Sequence, residues 1–143
     1  MELNQSKNLL TTKILALQNE LREILASIHG DERKNTFRLA LDMMVVEAYR
    51  IAKAHGWHDE ERNDGECIAL MHSELSEALE ALRNGNPKDS HCPEFSSVEV
   101  ELADVIIRIM DYAGYRDLDI AGAIVAKMEY NRSRPIKHGG KKF

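Results

Sequence analysis

The chain has 143 residues, 43% hydrophobic and 30% charged, with a net charge of -5, which fits one soluble domain burying a single core. The negative balance argues against generic nucleic-acid binding. No run approaches the roughly 18 apolar residues of a membrane span, and the opening MELNQSKNLL lacks the basic-then-apolar layout of a signal peptide, so the cytoplasm is the expected compartment.

The first element in chain order is a helix expected over 4–29, with Leu10, Ile14, Leu17, Leu21, Ile24 and Ile28 at alternating steps of four and three. That narrow seam fits either an arm covering its own core or a helix pairing between subunits. Residues 1–30 are set apart as this arm, and 31–143 as the main domain. Further helices are expected over 36–54, 64–84, 97–114 and 119–132, because apolar residues recur there at helical steps rather than alternating. Gly30, Gly56 and Gly85 mark the ends of the first three helices. Asn63 with Glu66, and Ser96 with Glu99, have the spacing of capping boxes at the third and fourth starts. The stretch 84–94, rich in Asn, Pro, Asp and Ser, reads as a polar loop. The fold class is all-α, an antiparallel bundle with a long N-terminal arm.

Two helices carry paired carboxylates. Glu74 and Glu77 lie three residues apart on the third helix, and Glu101 and Asp104 on the fourth. At about 100° per residue each pair sits about 60° apart on one helix face. They border the apolar stripes of Ile68, Met71, Leu75, Leu79 and Leu82, and of Leu102, Val105, Ile106 and Ile109. Antiparallel packing of the stripes would gather all four acids, whose mutual repulsion makes sense around a hard divalent cation. Oxygen-only ligands favour Mg²⁺, Mn²⁺ or Ca²⁺, and Mg²⁺ leaves coordination positions for phosphate. The alternative is four solvated acids, with Arg108 pairing Asp104 one helical turn earlier.

The charge is uneven along the chain. From Lys127 to the C-terminus six Lys and Arg face one Glu, so this tail is +5 and the rest of the chain -10. The acidic body and the basic tail need separate explanations. Trp57, the only tryptophan, and His58 lie between the second and third helices, where an aromatic ring can stack on a nucleobase or simply cap the core. His72 sits at a different helical azimuth from the acids, which points to packing. Cys67 and Cys92 lack any ligand spacing and read as ordinary reduced thiols.

The stretch from Ala69 to Glu80 (ALMHSELSEALE), followed 24 positions after Glu77 by Glu101-Leu-Ala-Asp104, resembles the ExxE…ExxD signature of the MazG-like all-α nucleoside triphosphate pyrophosphohydrolases. The similarity runs from about His55 onward and includes Lys127-Met-Glu-Tyr-Asn131-Arg-Ser-Arg134 and His138-Gly-Gly-Lys141. The resemblance implies hydrolysis of an NTP or dNTP to monophosphate and pyrophosphate, by water attack at the α-phosphate. It implies Mg²⁺, with Mn²⁺ as a substitute, on Glu74, Glu77, Glu101 and Asp104. It places Lys127 and Asn131 at the triphosphate, with Arg134, Lys137 and Lys141 as further candidates, and it implies a homodimer or a dimer of dimers. Glu77 is the candidate to accept the proton from water. A phosphoribosyl-ATP-type hydrolase and a non-catalytic helical interaction module remain open. A carboxylate-bridged redox bundle expects Glu-x-x-His pairs, and none of the six histidines lies three residues after a glutamate.

Overall fold

The computed structural model describes residues 13, 15–24 and 30–135. Residues 15–24 are helical (α1), and α2 (Gly30–Ala54), α3 (Asp64–Arg83), α4 (Ser97–Arg116) and α5 (Ile120–Ser133) follow. Among the described residues there is no strand, only an isolated bridge between Lys88 and Ser96, so the all-α expectation holds. No described helix is long and apolar enough to cross a membrane.

The helix limits follow from local chemistry. Asn63 caps α3 by accepting from Gly65 N at 2.8 Å and Glu66 N at 3.2 Å, with Asp64 and Glu66 in a first turn that favours acids. Ser96 and Glu99 complete the reciprocal capping box of α4: Ser96 N donates to Glu99 Oε2 at 2.8 Å, and Glu99 N to Ser96 Oγ at 3.4 Å. The chain leaves α3 through Gly85 (φ +80°) and Asn86 (φ +50°), left-handed positions that Gly and Asn tolerate best, before Pro87. The following loop is closed by Asp89 Oδ1, which accepts from His91 N and Cys92 N at 2.8 and 2.7 Å.

One expected boundary is corrected. Gly30 is itself helical, and α2, described from Gly30 onward, includes residues 31–35, which the expected helix over 36–54 leaves out. Asp31 and Glu32 suit a helix N-terminus, and Thr36 Oγ1 donates back to Glu32 O at 2.9 Å within the helix, so nothing in 31–35 interrupts it. The described residues fall into two units, one ending at Arg38 and the other beginning at Leu39. In the first unit Leu17, Leu21 and Ile24 are exposed. Leu10, Ile14 and Ile28 of the expected seam lie outside the described residues.

The centre of the second unit is the antiparallel pair α3 and α4. Asp64 meets Arg116 at one end of the pair, and Glu74 meets Arg108 further along. The pairing is as expected but the seam is not. The residues buried on these two helices are Cys67, Glu74 and Ala78, and Met110, Asp111 and Ala113. Leu75, Leu79 and Leu82 stay 45–58% exposed, as do Leu102 and Ile106, so the apolar stripes do not face each other. Small side chains, Cys67, Ala78 and Ala113, make up half of that buried set, and the long leucines lie outside it. Gly114 lets α2 and α4 approach closely, since a Cβ there would lie 2.7 Å from Tyr49 Cβ.

Candidate metal centre

The antiparallel register sets Glu74 and Glu77 of α3 opposite Glu101 of α4, and each offers an oxygen within 4.8 Å of the others. Glu74 is buried, Glu101 half-buried and Glu77 exposed, so the group opens outward on one side. Asp104, the fourth expected ligand, is not part of this group; it lines the adjoining cleft together with Glu74. Burial, reinforced by Glu77, Glu74 and Asp104, pushes the Glu101 carboxyl up from its ordinary range. Asp104 is also pushed up, by burial and then by Glu74, with Arg108 partly opposing. Carboxylates that resist ionisation because they are buried beside one another are relieved by a cation, and the all-oxygen donor set fits a hard one such as Mg²⁺.

Arg108 does not make the same-helix pair that the solvated-acid alternative allows. Its Nε donates to Glu74 Oε1 at 2.5 Å across the α3–α4 seam, instead of forming a surface pair with Asp104 on its own helix. A buried carboxylate needs a compensating charge more than a half-exposed one does, and Glu74 is only 7% exposed.

Beside the acids lies a cleft of about 500 Å³. Met44, Ile51, Ile107 and Met110 supply apolar wall, and Arg62, Arg108, Asp104 and Asp111 supply charge. Trp57 stands at this cleft with an exposed ring, and the Arg62 guanidinium lies 5.8 Å from the ring centroid. His58 does not join it. Its side chain is 2% exposed and tilted between the rings of Tyr49 and Tyr115, at 4.9 and 4.7 Å. Its Nε2–H donates to Asp111 Oδ1 at 2.6 Å, while Arg62 Nη1 donates to Asp111 Oδ2 at 3.0 Å. The loop carrying Trp57 and Arg62 is thus fastened to α4. Arg62 N donates to the Tyr115 hydroxyl, and Arg116 Nη2 to Arg62 O.

The basic candidates stand elsewhere. Lys127 and Arg134 both approach the Tyr130 ring on α5, at 4.7 and 5.7 Å, and neither they nor Asn131 line the cleft. Lys137 and Lys141 lie outside the described residues. Sequence reasoning missed the cleft cations Arg62 and Arg108 and the bridging acid Asp111. Arg62 stands in a loop without periodicity; Asp111 falls seven residues after Asp104, a helical repeat that offered the one available signal. Compared with protein-family models, curated proteins and solved structures, the chain matches none.

Proposed function

We propose that the protein is a Mg²⁺-dependent nucleoside triphosphate pyrophosphohydrolase, releasing pyrophosphate and a nucleoside monophosphate. The observation that carries this reading is the convergence of Glu74, Glu77 and Glu101 within 4.8 Å beside a cleft with an exposed tryptophan. Three carboxylates held together on two helices repel one another, and of the three only Glu74 has an ion-pair partner among the described residues, so a cation is the natural way to relieve them. Mg²⁺ bound there would neutralise phosphate oxygens and acidify a water.

The chain's own residues divide the remaining work. Glu77, the most exposed of the three, accepts the proton of the attacking water. Asp104 stands with Glu74 on the cleft side and extends the acidic surface toward the substrate. The cleft beyond takes the nucleoside, with Trp57 offering a face for the base and methionine and isoleucine side chains excluding water. Lys127, Asn131, Arg134 and Lys141 are proposed phosphate contacts on the resemblance of the sequence alone.

The test is pyrophosphate release from each NTP and dNTP with Mg²⁺, beside excess EDTA and Glu74→Ala. Release that vanishes in both controls is the expected result, and turnover persisting in EDTA contradicts the metal role. No release from any nucleotide favours the helical interaction module.

The reading includes a homo-oligomer, a dimer at least. Among the described residues no large side chain is fully buried, while Leu39, Met43 and Val46 of α2 and Leu75, Leu79 and Leu82 of α3 are all 45% or more exposed. Apolar surface repeated on two helices calls for a covering partner, and a second copy presents the same chemistry. Sedimentation should give a multiple of 16.3 kDa that Leu79→Glu reduces. A monomer at micromolar concentration overturns this part.

A further inference from the structure

Glu74 has two claims upon it. It is the buried member of the carboxylate group, and it is the partner of Arg108, whose side chain is 31% exposed and lines the cleft. A divalent cation placed among Glu74, Glu77 and Glu101 would therefore meet a fixed positive charge on one of its own ligands. Like charges so close repel strongly in a half-buried site, and both cannot hold Glu74 Oε1. The arginine stem is long, the head is on the cleft side, and a guanidinium prefers the paired oxygens of a phosphate as readily as a carboxylate.

We infer that Arg108 is a placeholder cation, neutralising Glu74 while the site is without metal and transferring to the polyphosphate of the substrate when metal takes Glu74. The inference rests on the metal-dependent reading of the carboxylate group and adds a substrate-binding residue to it. The exchange makes metal and polyphosphate binding mutually dependent: metal alone must displace Arg108 without compensation, whereas metal arriving with polyphosphate gives the displaced guanidinium a new partner. It also keeps the acidic group from holding a divalent ion tightly before substrate arrives.

The experiment measures Mn²⁺ binding alone, by the loss of its free-ion paramagnetic signal, and then binding of inorganic tripolyphosphate at saturating Mn²⁺. The full chain is compared with Arg108→Gln and Arg108→Lys. Removing the competing charge should tighten Mn²⁺ binding about tenfold in Arg108→Gln and weaken tripolyphosphate binding by a similar factor. Arg108→Lys keeps the charge and should hold Mn²⁺ affinity near that of the unaltered chain, which separates charge competition from damage to the fold.

Mn²⁺ affinity that falls or stays level in Arg108→Gln overturns the placeholder role while leaving the metal site standing. No Mn²⁺ binding by any of the three proteins overturns both. The expected opposite shifts in a protein that releases no pyrophosphate would uphold the exchange and remove only the hydrolytic activity.

Discussion

Replacing Glu77 by glutamine is expected to lower turnover by roughly 10² to 10⁴-fold, the usual contribution of a positioned general base, with helix content and melting temperature unchanged. Glu77 is an exposed residue on α3, one turn after Glu74, and glutamine fills the same volume. Loss of activity in a folded protein has two possible sources, because Glu77 also belongs to the carboxylate group. They separate kinetically. Loss of the base lowers kcat with little change in the metal concentration needed for half activity, whereas loss of a ligand raises that concentration and lets excess metal restore the rate. Glu77→Asp retains the charge but withdraws it by one methylene, so it should keep metal dependence while turning over more slowly. Near-normal turnover of Glu77→Gln at low metal would remove Glu77 from the chemistry and leave Glu101, whose carboxyl is already pushed up by burial, as the next acid to examine.

The helices were legible because their signals are local. Ser96 and Glu99 cap α4 as their spacing requires, and Asn63 caps α3. Glu74, Glu77 and Glu101 converge because i and i+3 spacing places Glu74 and Glu77 on one face of α3, and the chain turns back through Gly85 and Asn86 to lay α4 antiparallel against it. What covers an apolar stripe is not local, and here sequence reasoning erred: Leu75, Leu79 and Leu82 mark an apolar face correctly, but Cys67 and Ala78 are the apolar residues that α3 buries. The partner of Arg108 is non-local for a related reason. The i, i+4 rule weighs only neighbours on the same helix, while the partner across the seam is more deeply buried and gains more from a cation. His58 and Trp57 are adjacent in sequence and have opposite fates, one enclosed by two tyrosines and the other exposed at the cleft, a difference that no pattern in a short loop encodes.

Removing the Asp111 carboxylate should be the most destabilising single change, about 3–5 kcal/mol for Asp111→Ala, as expected when one partner of a buried charge pair is deleted. At about 2–4 °C per kcal/mol for a chain near this size, melting should fall on the order of 10 °C. Asp111 is 12% exposed on its side chain and accepts from both His58 and Arg62, which are 2% and 15% exposed. Alanine leaves a buried imidazole N–H and a guanidinium without their acceptor. His58 has no other recourse among the described residues, where its buried Nδ1 has no hydrogen-bond partner. The loop itself remains fastened by the Tyr115 hydroxyl on Arg62 N and by Arg116 on Arg62 O, so the loss measures uncompensated polar groups rather than release of the segment. Asp111→Asn keeps one acceptor oxygen and should lose less. The double variant His58→Phe with Asp111→Asn removes the imidazole along with the charge and should recover part of the deficit if buried desolvation is its source. A fall of under about 1 kcal/mol for Asp111→Ala, the range of exposed ion pairs, would mean that water reaches the network. Arg62 would then be set at the cleft by its contacts with Trp57 and the loop, and not by α4.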